Sequence, residues 1–253
     1  MRLWIDTDVG TNPDDAVALL CAAAHPDVEL VGVSTVDDDT GSRADLARSL
    51  VDALVVPGTE LTAGTVRAVE PEAVLAIGPL TNVARLLAHG YRAPRLAVMG
   101  GTLATVHHRG AVRTVEHNFG SDPEAAAAVV DGLDDVLVCP LDLTVQLCLD
   151  DAGLEELVGA DDRLGPMCDD WMARQRASGV PADDARVCLH DPLALLALLQ
   201  EPMVQMERRP LAVSPVGALR QAPPGARRHR VVVAVDAQRA RARILALLGE
   251  RSR

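Results

Sequence analysis

The sequence contains no lysine, so all 24 residues in its Lys+Arg count are arginines. Any mechanism that needs a catalytic lysine is therefore excluded. Aromatic residues are also scarce, at 2% of 253 positions, so the core must be aliphatic. Stacking on a ligand ring has only Trp4, Tyr91, Phe119 and Trp171 to draw on. No apolar run is long enough for a transmembrane helix, and because acid begins at Asp6 we expect no secretory leader. Positive charge is in deficit, with a net charge of −12. That balance argues against a binder of nucleic acid or of a membrane surface. Cysteines number five, an odd count without a CxxC pair. This usage predicts a reduced, cytoplasmic setting with buried thiols rather than a metal or redox centre.

What is present is 49% apolar, enough for a sizeable core in one domain spanning 1–253. Short apolar runs alternate with helical stretches. We expect strands over 2–5, 28–36, 73–77, 95–99, 135–139 and 230–235. Helices are expected over 14–24, 43–55, from 81, over 123–131, through most of 154–200, and from 237. The alternation predicts an α/β fold, a mainly parallel central sheet flanked by helices. In such sheets ligands sit beyond the carboxyl ends of the strands. The unusual residues gather there: 6–15, 36–40 (VDDDT), 77–82, 99–102, 142–144 and 190–191.

The densest of these stretches is DTDVGTNPDD, with Asp6, Asp8, Asp14 and Asp15. Asn12 suits an N-cap and Pro13 a first helical position. Asp14 and Asp15 then fall in the first turn, where the helix dipole favours acid. Capping leaves Asp6 and Asp8 unexplained, because two like charges at a strand end need a cation or shared protons. Converging carboxylates suit a hard cation, Ca²⁺ or Mg²⁺.

Taken in order, the motifs DTDVGTNPDDAVALL, IGPLTNVARLL, VMGG, EHNFGSDPEAA, PLDLT, LHDPLALLALL and VVVAVDAQRARARILALL resemble the inosine-uridine type nucleoside hydrolases across nearly the whole chain. The resemblance implies a single Rossmann-like nucleoside hydrolase domain. It implies hydrolysis of the N-glycosidic bond of a ribonucleoside through an oxocarbenium-like transition state. It places Ca²⁺ on Asp8, Asp15, the main-chain carbonyl of Ile77 and Asp191. It makes Asp8 the base toward water and His190 the acid toward the leaving base, whose ordinary pKa near neutrality suits that task. Asp14, Asp39, Met99, Glu116 and Asn118 would contact ribose or border the substrate, and Trp171 is a candidate for the base. Asp6 would orient the loop from behind. The family also implies a role in nucleoside catabolism and salvage, and a homodimer or homotetramer.

This sequence departs from the pattern at several points. Asp39, in TVDDD, stands where the family has Asn. Arg109–Gly110 replaces a Gly-Asn pair, Val145 replaces a frequent His, and the stretch between Asp39 and Ala73 is short and lacks a Gly-His-rich loop. A catalytically impaired riboside-binding protein of the same fold is therefore an alternative. A haloacid-dehalogenase-like phosphatase, with Asp6 as nucleophile and Asp8 as acid/base, is a third. His107 and His108 form a zinc-like pair, yet no spaced partners accompany them, so we place them in a loop near the pocket. Asp142 and Thr144 read as supports at a strand end, and Thr81 and Asn82 as the start of their helix.

Overall fold

Leu3, Trp4 and Ile5 are buried on both faces of the first strand, which marks it as the centre of a sheet covered on both sides. The computed structural model describes residues 1–38, 40–223 and 225–251, and bears this out. In chain order the elements are β1 (Arg2–Thr7), α1 (Pro13–Ala24), β2 (Glu29–Thr35), α2 (Ser42–Leu50), β3 (Leu54–Pro57), α3 (Ala63–Ala68), β4 (Ala73–Ala76) and α4 (Thr81–Ala88). Next come β5 (Leu96–Met99), a hairpin of β6 (Val106–His108) and β7 (Ala111–Arg113), α5 (His117–Ser121), α6 (Pro123–Gly132), β8 (Leu137–Cys139) and α7 (Leu141–Thr144). The chain closes with α8 (Asp151–Ala160), α9 (Leu164–Ala177), α10 (His190–Leu198), β9 (Val204–Val213), β10 (Leu219–Gln221), β11 (Arg228–Val235) and α11 (Ala237–Arg251).

Nine strands form one sheet in the order β10-β9-β11-β8-β5-β4-β1-β2-β3. From β3 through β11 every neighbour is parallel; at the other edge β9 alone is reversed, pairing antiparallel with both β11 and β10. From β1 the chain first winds outward through β2 and β3. It then crosses back to β4 and winds the other way, so the switch point lies between β1 and β4. A ligand crevice is expected just beyond the carboxyl ends of those two strands. Two apolar clusters cover the faces: Leu3 and Ile5 join one with α1 and α10, and Trp4 joins the other with α4 and α6.

Three expectations are corrected. The helix expected over 43–55 stops at Leu50, and Leu54–Pro57 forms the edge strand β3. Val55 and Val56 there are β-branched, buried and paired with β2, which overrides their helical neighbourhood. His107 and His108 belong to a hairpin rather than a loop. Cys148 and Cys188 are joined by a disulfide, whereas Cys21, Cys139 and Cys168 are free and buried. The spacing of 40 residues between the paired cysteines hid a cross-strand bridge that only the fold creates.

Candidate active site

At the switch point, β1 ends in Asp6-Thr7-Asp8 and hands the chain to α1 through a short turn. Pro13 opens α1, with Asp14 and Asp15 in its first turn and Asn12 at the N-cap. The Asn12 side chain makes no capping bond, and its Oδ1 is buried without a partner. Helix α10 is buried along its whole length, and its first turn carries His190 and Asp191. Helices α1 and α10 pack on each other, so their acidic N-terminal turns meet. One carboxylate oxygen each from Asp14, Asp15 and Asp191 lies within 4.8 Å of the other two.

These acids line one cavity of about 520 Å³, a size that suits a small ligand. Asp8, Asp14, Asp15, Ile77, Met99, Glu116, Asn118, Trp171, His190 and Asp191 all border it, so the fold brings together every site residue expected from the sequence but one. Asp39 lies outside the described residues. The backbone after β4 passes tightly beside Asp8: a Cβ at Gly78 would stand 2.9 Å from the Asp8 amide nitrogen and 3.1 Å from its Oδ1. Only glycine permits that approach, which sets Ile77 beside the acids.

Burial is the dominant electrostatic fact. It raises the carboxyl of Asp14 to about 7 and pushes Asp8, Asp15 and Asp191 upward. Mutual repulsion among the acids adds to the rise at Asp15 and Asp191. Asp14 and Asp191 hydrogen-bond each other, which requires a shared proton. Asp14 Oδ1 is buried with no partner. A buried acid cluster with an orphaned oxygen, offering only oxygen donors from carboxylates and a carbonyl, has the donor chemistry that a hard cation takes. Among the described residues the donor set therefore fits Ca²⁺.

The supporting shell is dense. Thr7 Oγ1 donates to Asp15 Oδ1 at 2.5 Å. Asp6 does not border the cavity. Its Oδ1 accepts from Ser34 Oγ (2.5 Å) and Asn82 Nδ2 (2.9 Å), and Ser34 Oγ accepts from Trp4 Nε1 (2.9 Å). This relay ties β1, β2 and α4 together behind Asp8. Burial raises Asp6 to about 6 against those hydrogen bonds. Glu116 caps α5: it accepts from the Asn118 (2.7 Å), Phe119 (3.1 Å) and Gly101 (2.9 Å) amides, while burial raises it to about 7. Asn118 Nδ2 donates to the Ile77 and Met99 carbonyls at 3.1 and 3.0 Å, joining the ends of β4 and β5. Thr81 and Asn82 begin α4 as expected, and Asp142 accepts from the Leu103 amide at 2.8 Å.

Beside Asp191 at the start of α10, His190 Nδ1 meets Thr144 Oγ1 at 2.7 Å and its Nε2 has no partner. Burial, with help from Arg109 and His108, holds the His190 pKa well below its usual value, so the ring is neutral. The ordinary pKa assumed from the sequence does not apply here. Trp171 is buried, donates from Nε1 to the Arg186 carbonyl (3.1 Å), and carries the Arg109 guanidinium 4.3 Å above its ring. Arg109 was legible only as a departure from the family pattern, and its reach from the hairpin turn into the cavity was not. Arg43, Arg113, His108 and His117 also line the cavity, and sequence reading missed them as site residues. A chain without lysine concentrates its fixed cations in arginine, and that was the one available signal.

A mainly parallel α/β sheet gathers buried carboxylates and a histidine in one cavity at its switch point, an arrangement compatible with hydrolysis in which acids serve water and a developing cation. A family model described as "Inosine-uridine preferring nucleoside hydrolase" matches residues 48–243. The chain belongs to this family, and so to the hydrolases of N-glycosyl compounds. It is 29% identical over 255 residues to the non-specific ribonucleoside hydrolase RihC of Shigella boydii, covering 80% of each chain. With the RihC of Salmonella agona it shares 28% over 267 residues, covering 86% of this chain and 84% of the relative. Among solved structures, a plant nucleoside hydrolase superposes with a TM-score of 0.80 at 19% identity and 98% coverage of both chains. A purine-preferring ribonucleoside hydrolase from Gardnerella vaginalis gives 0.74 at 20%, covering 98% of this chain and 99% of that one. These two likenesses establish the nucleoside hydrolase fold. The phosphatase alternative falls with the family match.

Proposed function

We propose that this site hydrolyses the N-glycosidic bond of ribonucleosides, or of a related N-ribosyl compound, in a Ca²⁺-dependent reaction giving ribose and free base. The observation that carries the proposal is the meeting of Asp14, Asp15 and Asp191 within 4.8 Å in one cavity that an unpartnered His190 Nε2 also lines. Asp8, Asp15, Asp191 and the Ile77 carbonyl would hold the cation. When bound, Ca²⁺ would lower the pKa of the attacking water and orient it.

The remaining work falls to side chains. Asp8, at the cavity edge of β1, would take the proton from water. Asp14 Oδ1, free of internal partners, would accept from a ribose hydroxyl. Glu116 adds negative charge near the developing oxocarbenium ion. Its two oxygens already receive three main-chain amides, so its contribution is largely field and support for the loop. Burial holds the His190 pKa well below its ordinary value and Thr144 fixes the ring through Nδ1, so the unpartnered Nε2 would face the departing base. Trp171 with Arg109 would form the wall against the base.

A nucleoside panel tests this: inosine, adenosine, guanosine, uridine and cytidine, each with Ca²⁺ or with chelator, followed by chromatography of free base. Calcium-dependent base release supports the proposal and ranks the substrates. Binding of nucleoside and calcium without release from any of them would favour the impaired, riboside-binding alternative. A homodimer or homotetramer belongs to the same proposal, and light scattering checks it.

A further inference from the structure

One cluster of ligand-type side chains lies beside this chemistry, and of its members only His108 also lines the cavity. Cys148 follows the turn at 145–147, Cys188 precedes α10, and His108 ends strand β6. The Leu149 amide donates to the Val187 carbonyl (2.8 Å) and the Leu189 amide to the Leu147 carbonyl (3.1 Å), which sets Cys148 and Cys188 face to face across an antiparallel bridge. Their sulfurs are bonded. A ring nitrogen of His108 and both sulfurs lie within 4.8 Å of one another. Three segments remote in sequence thus deliver two sulfurs and an imidazole to one spot. The zinc-like look of His107-His108 lacked partners in the sequence; the fold supplies them to His108.

We propose that in the reduced protein Cys148, Cys188 and His108 form a Zn²⁺ site, separate from the carboxylate cluster. Two thiolates and a neutral imidazole are the borderline-soft donors that Zn²⁺ takes, whereas the Asp8–Asp15–Asp191 set offers only hard oxygens. The disulfide and the metal site are alternatives set by redox compartment. A dithiol reductant passes two electrons and two protons to the sulfurs and leaves as its own disulfide; Zn²⁺ then displaces the two thiol protons. His108 needs no deprotonation, because burial and the neighbouring Arg109 and Arg113 hold its pKa down to about 4. The fourth position would be water.

The site bears on the cavity through its neighbours. The His108 ring stands edge-on to His190 at 5.2 Å, and Cys188 lies two residues before His190. Either linkage ties the strand bearing Cys148 to the start of α10; only the metal form also anchors the hairpin that carries Arg109.

The test uses the full chain, reduced anaerobically with a phosphine, with Ca²⁺ present to saturate the carboxylates, and titrated with Co²⁺ as a spectroscopic stand-in. The expected result is a sulfur-to-cobalt charge-transfer band that saturates at one equivalent, is abolished by Zn²⁺, and is absent from the oxidised protein. Cys148→Ser should remove the two-thiolate signature. His108→Ala, on the half-buried hairpin and away from the core, should weaken binding by more than about tenfold through loss of one ligand in three. No sulfur band in the reduced protein, or undiminished affinity in His108→Ala, overturns the proposal. Unfolding of the chain on reduction overturns it as well, since the dithiol form would then have no native structure. None of these readouts depends on nucleosidase activity.

Discussion

The Asp8 side chain adds repulsion to a buried acid cluster, and in the proposed mechanism it also serves as the base toward water. Asp8→Ala should therefore lower kcat/KM by roughly 10²–10⁴, the usual worth of a positioned general base. It should not lower the Tm measured in chelator, because a source of charge repulsion at Asp14, Asp15 and Asp191 is gone. Steady-state kinetics and a thermal melt on one sample check both halves; a large drop in Tm would mean that Asp8 is structural. Behind it, Gly32 lies under the indole of Trp4, where a Cβ would stand 2.3 Å from the ring. Gly32→Ala should cost roughly 1–3 kcal/mol by overpacking. It should also reduce activity, since Trp4 holds Ser34 and Ser34 holds Asp6. Unaltered melting would show that Trp4 repacks without loss.

Elements differ in how far the sequence exposes them. Helix α6 is the legible kind: Asp122 caps it by accepting from the Ala125 amide (3.0 Å), Pro123 opens it, and Thr81 Oγ1 donates to the second Asp122 oxygen at 2.6 Å. Asp122→Ala should cost roughly 0.5–2 kcal/mol, as lost caps do, and leave kcat and KM unchanged because Asp122 does not line the cavity. Chemical denaturation beside initial rates would check this, and a raised KM would place α6 in substrate binding. The parallel strands and their helices were readable for the same reason as α6: period, caps and breakers are local. So was the gathering of acids at strand ends, because switch-point logic needs only element order. Strand β3 was not readable, since a four-residue edge strand gains its identity from pairing with β2. Nor was the hairpin of β6 and β7, whose three-residue strands carry no usable period and whose Arg109 matters by where it lands. The Cys148–Cys188 pairing and the lowered pKa of His190 were invisible for one shared reason: both arise from contacts between segments remote in sequence, the His190 shift also from burial.

At the scale of the molecule, the buried acids make folding respond to pH in an unusual direction. Glu116, Asp14 and Asp6 sit at about 7, 7 and 6, against ordinary values of 4.5, 3.8 and 3.8. The folded protein therefore keeps protons that the unfolded chain releases; with Asp8, Asp15 and Asp191 raised as well, these carboxyls outnumber His108, His190 and His229, whose lowered pKa values pull the other way, and stability falls as pH rises from about 4 to about 7. Unfolding in chelator across that window should show the highest Tm at the acid end, and added Ca²⁺ should flatten the slope. A Tm that climbs with pH in chelator would mean that these carboxyls are not buried as described.

The residues of the proposed site come from distant parts of the chain: Asp8, Asp15 and Ile77 precede the exposed turn at Gly90, whereas Glu116, His190 and Asp191 follow it. Neither portion alone holds a complete set of ligands. A chain severed at Gly90 would thus be silent as two separate fragments and would regain turnover only on reassembly, which gives the molecule the logic of a complementation reporter.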